Sequence, residues 1–222
     1  MTYRPLRRAP VALTLLASAL LAACSPAPVS RNAPPQPQPI DVAVEPITVS
    51  GLSNFSVAQI SVSVPPTLQV SERNSYYPGG DIVWHGDPAG NRHEQVKAIF
   101  EAGLTAGTRE FTGDRPVIVD VVVTRFHALS PRARYTIGGV HSVQFHLRVR
   151  DANTGAVLVP SYHVRADIDA YGGATALAAE AHGDTQKVRL TRHLASVIAR
   201  ELRQPGSVRP EGTGVIGAIN QL

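Results

Sequence analysis

The residue with the most specific chemistry is Cys24, the only cysteine in the chain. It directly follows Leu21-Ala22-Ala23. This is the pattern of a lipobox, at which the cysteine sulfur receives a lipid and cleavage leaves the cysteine as the first residue of the mature chain. Three arginines precede an apolar run over residues 11–23. A secretory apolar region is about 7–15 residues long, whereas a spanning helix needs about 20. The sequence therefore predicts a lipoprotein signal peptide over residues 1–23 and lipidation of Cys24.

Two alternatives to lipidation concern the same segment. An uncleaved membrane anchor is disfavoured by the short apolar run. An ordinary signal peptide would leave Cys24 as an unpaired thiol in an oxidising compartment. Ser25, rather than aspartate, follows the cysteine, and by the sorting rule best known in enterobacteria this resembles an outer-membrane destination. We expect the protein to be held by its lipid in the cell envelope, facing the periplasm.

Acid and base chemistry is conceivable at His163, Asp167 and Asp169, which a strand over this region would place on one face. However, the sequence has no Gly-x-Ser-x-Gly, no phosphate-binding Gly-Lys-Ser/Thr loop and no His-Glu-x-x-His helix. A solvated strand face with cross-strand ion pairs explains the three residues more simply. We predict no catalytic residues and no enzyme, and keep a small envelope hydrolase as the alternative.

The sequence also gives no support for a metal or a cofactor. None of the eight histidines pairs with another at the short ligand spacings of one strand or helix, and we expect them on the surface or in loops. Gly212 to Gly217 matches the dinucleotide fingerprint in letters, but no strand precedes it and only five residues follow. We therefore predict no metal site and no cofactor.

The loop from Tyr76 to His85 is the candidate recognition loop. It contains Tyr76, Tyr77, Asp81 and the sole tryptophan, Trp84. Aromatic side chains beside backbone-shaping glycines are common at recognition surfaces. The alternative is that these aromatics close one end of the core, and this structural role is favoured because most aromatic surface in small domains is buried.

The charge balance argues against nucleic-acid binding. The full chain carries 21 basic and 17 acidic residues, but removal of residues 1–23 takes away three arginines and leaves a net charge near neutrality. The high isoelectric point of about 9.6 therefore does not imply a basic binding face on the mature protein.

Composition divides the mature chain into three parts. Residues 24–54 form a lipidated N-terminus and tether, since Ser25 to Pro39 contains six prolines and should favour an extended conformation of about 45 Å. Proline-rich partner docking is the weaker alternative. Residues 55–204 are predicted to form a single α+β domain. Residues 205–222, rich in Gly and polar side chains, are predicted to be a disordered tail.

Periodicity within the domain predicts the order β-α-β-β-β-α. The strand segments are 58–64, 117–126, 143–149 and 162–170, with a turn at 151–155 between the last two. One helix follows Asn91 and carries Gly103 and Gly107 on its apolar stripe, which we interpret as close approach to a sheet. The other follows Asp184 or Thr185. We predict a two-layer sandwich, with a mainly antiparallel sheet of about four strands and two helices on one face.

Four segments carry a resemblance to a known family. They are Arg73 to Trp84, Val123 to Leu129, Tyr135 to Ser142 and Ala170 to Gly173. Together they resemble a domain-of-unknown-function family of candidate alphaproteobacterial envelope lipoproteins. The element order is also distantly similar to the N-terminal domain of TolB and to curli-secretion lipoproteins, a likeness of fold only.

These resemblances imply an envelope location and a binding or assembly role, without an activity. The expected function is a lipid-anchored, non-catalytic binding or assembly module with an envelope protein as partner. A ligand-binding lipoprotein is a further alternative, and an unpaired sheet edge would suit addition of a partner strand.

Overall fold

A computed structural model describes residues 52–208. The predicted signal peptide, Cys24, the tether up to residue 51 and the tail from residue 209 lie outside the described residues and stay predictions.

The described chain contains six strands and four helices. The strands are β1 (Phe55–Ser63), β2 (Ile82–Val83), β3 (Arg115–His127), β4 (Gly139–Asp151), β5 (Val157–Arg165) and β6 (Ile168–Ala170). The helices are α1 (Arg92–Thr108), α2 (Pro131–Arg134), α3 (Gly173–Ala181) and α4 (Gln186–Arg203). The α+β class is confirmed, but the described strands and helices outnumber the four and two that were predicted. Strand β2 is too short to produce an alternating pattern, and β5 and β6 were predicted as one continuous strand.

The sheet is mixed rather than mainly antiparallel, which corrects the prediction. Its order is β1-β3-β4-β5, with β2 beside β3 and β6 beside β4. Both β1 and β2 run parallel to β3, whereas β4 is antiparallel to β3, β5 and β6. The reason is the crossover through α1, since two strands joined by a helix in one sheet lie parallel.

The core lies between the sheet and the helix pair α1 and α4. Alternate residues of β3 and β4 face the helices and are buried; they are Val117, Val119, Val121 and Val123 on β3, and Val143, Phe145, Leu147 and Val149 on β4. Both helices begin at capping side chains. Asn91 accepts from the backbone N–H of His93 and Glu94, and Thr185 accepts from that of Val188.

Gly103 and Gly107 permit close packing of α1 against α4, not against the sheet as the sequence suggested. A Cβ at Gly107 would lie 2.1 Å from the carbonyl oxygen of Ala195, and one at Gly103 would lie 2.8 Å from that of Thr191. The prediction of a close approach was therefore right about the glycines and wrong about the neighbouring element.

The other sheet face carries the expected polar side chains. Asp120 on β3 accepts hydrogen bonds from Arg148 (3.0 Å) and Arg150 (2.6 Å) on β4. At the hairpin between β4 and β5, Asp151 accepts from the N–H groups of Asn153 and Thr154. Its side-chain bond to Arg115 and these turn contacts lower the pKa of Asp151 to about 2.

The chain remains packed against the domain beyond the end of α4. The buried carboxylate of Glu201 accepts from the Tyr162 hydroxyl and from the N–H groups of Gly206 and Val208. Val208 itself belongs to the core cluster. Four residues assigned to the tail by composition are thus held against the domain.

Candidate functional site

The candidate recognition loop is folded against its own backbone. The N–H groups of Asp81 and Ile82 donate to the carbonyl of Gln69, and the N–H of Ser71 donates to that of Ile82. Gly80 has φ +80°, and a Cβ there would lie 2.9 Å from the Gln69 oxygen. Glycine is therefore required where the loop turns back on itself.

Two of the four candidate residues make contacts that hold the loop in place. Trp84 has no solvent exposure, packs edge-on against Phe126 at 5.6 Å between ring centroids, and donates its Nε1–H to Asp87 at 2.8 Å. The carboxylate of Asp81 accepts from the N–H of Gln69 at 2.8 Å. The burial of Trp84 agrees with the structural interpretation of the aromatics, which Tyr76 and Tyr77 do not follow. Asp81 helps to hold the loop in place.

The two tyrosines of the loop are exposed. Tyr77 is 58% exposed, and Tyr76 is 37% exposed with the guanidinium of Arg132 4.9 Å from its ring centroid. Hydrogen bonds with Thr136 and Arg132 lower the pKa of Tyr76. The loop is fastened to α2, because the Ser130 hydroxyl donates to the carbonyl of Ser75 at 2.6 Å.

Helix α2 and its following turn extend this aromatic surface. Arg134 is buried and pairs with Glu180 of α3 at 2.6 Å, which fixes α2 against α3. Tyr135 and Ile137 remain about half exposed beside this pair. We call the exposed side chains of Tyr76, Tyr77, Arg132, Tyr135 and Ile137 the apical surface.

The apical surface lies at one end of the sheet. Phe55, near the first described residue, pairs with Arg115 at the start of β3, whereas His127 at its other end pairs with Val83 of β2, just before Trp84. The thirteen residues of β3 separate these ends by about 40 Å at the usual rise of 3.3 Å per residue. The chain therefore enters the domain at the end opposite the apical surface.

A cleft of about 320 Å³ opens next to the apical surface. It lies beyond the carboxyl ends of β2 and β3 and is lined by side chains from four segments: His85, Gly86, Pro131, Arg134, Tyr135, Glu180, Thr185, Gln186 and Lys187. Lys187 pairs with Asp87 at 2.7 Å, the carboxylate that also holds Trp84. The cleft presents both positively and negatively charged hydrogen-bonding groups, and Tyr135 is among its lining residues.

His141 lies in the interior near this end of the sheet. Its side chain is on the core-facing side of β4, has no exposure, and neither ring nitrogen has a partner among the described residues. Burial, together with the nearby side chains of Arg189, Arg134 and His193, lowers the pKa of His141 to about 3. The expectation that the histidines lie on the surface or in loops is wrong for this residue.

The domain has a family match that covers it whole. Residues 55–218 match the model of a family of unknown function, DUF6778. The chain belongs to this family. The expected resemblance to a domain-of-unknown-function family is thereby confirmed, and DUF6778 brings no described activity to the site.

Solved structures similar to this DUF6778 chain share little sequence with it. A DUF330 protein, XCC0632 from Xanthomonas campestris, is 14% identical, with a TM-score of 0.40 over 67% of this chain and 84% of that one. A lipoprotein candidate from Caulobacter crescentus is 15% identical, with a TM-score of 0.32 over 69% and 90%. PelC from Paraburkholderia phytofirmans is 13% identical, with a TM-score of 0.31 over 68% and 88%. Among curated proteins, none matches the chain.

The described part of the DUF6778 chain offers neither a membrane-spanning helix nor a metal cluster. Residues 52–208 contain no helix long and apolar enough to cross a membrane. The same residues contain no group of three or more His, Cys, Asp and Glu side chains placed to hold a metal ion.

His163, Asp167 and Asp169 do not share one strand face, contrary to the sequence interpretation. The predicted strand is interrupted, since β5 ends at Arg165 and β6 begins at Ile168. His163 is exposed with its ring 5.3 Å from that of His146. Asp167 is buried, accepts from the N–H of Val143 at 2.9 Å and pairs with Arg165. The carboxylate of Asp167 therefore ties the break between β5 and β6 to the backbone of β4.

The contribution of α2 and α3 to this site was not predicted from the sequence. The available signals were the pairs Gly138-Gly139 and Gly172-Gly173, which mark close backbone approach. A Cβ at Gly138 would lie 2.7 Å from the carbonyl oxygen of Ala170. This contact brings the turn that carries Tyr135 and Ile137 next to β6 and α3.

Proposed function

We propose that the protein is a lipid-anchored envelope protein that binds another envelope protein through its apical surface. Lipidation at Cys24 would hold it on the periplasmic side of a membrane, in the outer membrane by the residue that follows the cysteine. The role is non-catalytic: the domain presents a binding surface and contributes to assembly.

The observation that carries this proposal is the clustering of exposed tyrosines beside an arginine. Tyr76 and Tyr135 lie beside Arg132, and exposed Tyr77 is next to Tyr76 in the chain. The elements that carry them are held by Trp84, Asp81 and the Arg134–Glu180 pair. Tyrosine and arginine are residue types in which interface hot spots are enriched. A rigid scaffold beneath them limits the entropy lost on binding. The distance of about 40 Å from the chain entry directs the surface away from the tether attachment point.

Site-specific photocrosslinking in the native envelope tests the proposal. A photoreactive amino acid replaces Tyr77, and a matched control replaces Val157, which is similarly exposed (54%) at the hairpin end of the sheet. We expect a discrete crosslinked protein from position 77 and none from position 157. The same adduct should disappear when Arg132→Glu is added, because the substitution reverses the charge beside Tyr76.

Equal adducts from positions 77 and 157, or an adduct at 77 that survives both Arg132→Glu and Tyr135→Ala, would refute apical binding. Circular dichroism of each variant checks that the domain is folded.

A further inference from the structure

Strand β1 is an open edge of the sheet. Among residues 52–208 it pairs only with β3, apart from a single isolated bridge between Ser56 and Thr112. Ala58 and Gln59, in its middle, are exposed. An edge strand presents a row of N–H and C=O groups that can pair with a further strand.

The opposite edge, β5, is protected in a way that β1 is not. Pro160 lies in the middle of β5 and has no N–H to donate. The pairing register shifts along both edge strands, in β5 around this position and in β1 between Val57 and Gln59, so register does not distinguish them. Proline is a device by which natural sheets block edge pairing. Of the two long edge strands described, β1 is the one suited to accept a partner.

A groove of about 560 Å³ runs along the free edge of β1. One wall is Val57 to Ile60 of β1, and the other is formed by α1 and the residues that follow it, from Glu101 to Phe111. Phe111 stacks on Phe55 at 4.8 Å, which gives the groove an aromatic floor at one end. A strand added to β1 would point alternate side chains into this groove.

The groove has opposite charges at its two ends. Glu101 and Arg109 are both exposed on the α1 side, and eight helical positions separate them by about 12 Å. Arg109 lies towards the start of β1, where Phe111 meets Phe55. An added strand spanning about four residues would meet both charges.

We propose that this edge and groove bind an extended segment of another protein as an additional, antiparallel strand. The segment carries alternating apolar residues, a basic residue at its N-terminal end facing Glu101 and an acidic residue at its C-terminal end facing Arg109. Antiparallel pairing is slightly more stable than parallel pairing. This surface is separate from the apical surface, so the domain can join two partners.

Charge distinguishes this occupant from two others. A second copy pairing through its own β1 would present Phe55–Ser63, a segment without any charged residue. The preceding segment of the same chain, residues 40–51, contains Asp41 and Glu45 but no basic residue, and Pro46 removes a donor. Neither supplies a basic residue for Glu101, whose ion pair within the described chain is a 4.0 Å contact with partly exposed Lys97.

Peptide binding to the full-length lipidated protein in detergent micelles tests the proposal. The probe is a fluorescein-labelled peptide, Thr-Lys-Thr-Val-Thr-Glu-Thr-Val, in which Lys and Glu lie on the same strand face about 13 Å apart, and the readout is anisotropy. One comparison peptide exchanges the Lys and Glu, and another carries N-methyl groups on alternate amides. We expect the exchanged peptide to bind about fivefold more weakly, as two exposed ion pairs allow. N-methylation should weaken binding by about tenfold or more, because it removes strand hydrogen bonds.

A charge-reversed protein makes the test specific to the groove. The variant Glu101→Lys/Arg109→Glu should prefer the exchanged peptide by the same factor. The control Glu94→Lys/Arg200→Glu makes the same change of charge at exposed positions outside the groove and should keep the original preference.

Three outcomes would overturn the inference. One is a peptide affinity that does not change on N-methylation of the peptide or on reversal of the groove charges. Another is self-association in sedimentation that Ala58→Lys abolishes, which would make a second copy the occupant. The third is peptide binding seen only after deletion of residues 40–51, which would assign the edge to the chain's own segment. Capture experiments at Tyr77 are independent of all three.

Discussion

At the scale of single residues, His141 is a polar, titratable side chain that is fully buried without a hydrogen-bond partner among the described residues. An imidazole with no solvent exposure and no partner among the described residues lies close to Arg189, Arg134 and His193. Burial disfavours the protonated imidazole, and Arg189, Arg134 and His193 disfavour it further, which is why the pKa of His141 falls to about 3. Its neutral form is therefore a condition of the folded state.

This pKa makes stability depend on pH. An unfolded chain binds a proton at His141 near pH 6.5, whereas the folded chain does so only near pH 3. Stability from the neutral side chain is thus fully present above about pH 6.5 and declines as the pH falls. Below about pH 6.5 we expect this residue to contribute a loss of about 1.4 kcal/mol per pH unit to the free energy of unfolding, measured by urea titration.

His141→Leu should reduce this slope and leave stability at pH 7.5 equal or higher, since an unpartnered polar side chain is replaced by an apolar one. His127, whose pKa burial lowers to about 4, keeps some slope in the same direction. The control His146→Gln changes an exposed histidine on the same strand and should retain the wild-type slope. An unchanged slope in His141→Leu would contradict the argument.

At the scale of elements, the contact between α1 and α4 depends on glycine at position 107. Its added Cβ would meet the Ala195 carbonyl oxygen at 2.1 Å and the Ile198 side chain at 2.6 Å. Gly107→Ala should therefore destabilise the domain by about 1–3 kcal/mol despite its better helix propensity, because the helices must separate. The exposed control Ala102→Ser on α1 should change stability by no more than about 0.5 kcal/mol. A stabilised Gly107→Ala variant, in thermal or urea unfolding, would show that the helices move apart freely.

The same contact shows how far sequence determines the fold. Alternation located β1, β4 and β5, a β-branched run located β3, and cap residues (Asn91, and Asp184 or Thr185) located α1 and α4, because these signals are local. The local sequence does not show which element packs against Gly107. The sequence interpretation expected the sheet, whereas the structure places α4 there. The parallel pairing of β1 with β3 did follow from the strand-helix-strand order, and the sequence interpretation overlooked it.

In the candidate site too, local sequence predicted some features, whereas others depend on tertiary contacts. The loop from Tyr76 to Trp84 was recognised from its composition, but composition does not separate exposed Tyr77 from buried Trp84. That difference arises from tertiary contacts, such as the approach of Phe126 to the indole ring. Tyr135 joins the site through the Arg134–Glu180 pair, which spans 46 residues of sequence and leaves no local pattern.

At the scale of the whole molecule, the chain entry, the apical surface and the β1 groove have separate positions. The entry is next to Phe55 and the apical surface is at the far end of β3. The groove lies along the side of the sheet between β1 and α1. A protein anchored at the entry would leave both surfaces available to partners in the periplasm, which is the arrangement that an assembly role requires.

Anchoring itself is tested by removing one sulfur atom. Cys24→Ala should abolish incorporation of labelled palmitate and move the protein from the membrane fraction to the soluble periplasm, because each buried methylene contributes about 0.8 kcal/mol to membrane binding. The neighbouring substitution Ser25→Ala keeps the acceptor sulfur and should remain labelled and membrane-bound. Labelling and fractionation that do not differ between the two variants would exclude lipidation at Cys24. If the Cys24→Ala protein is soluble yet gives the same crosslink from position 77, the apical surface binds its partner independently of the anchor.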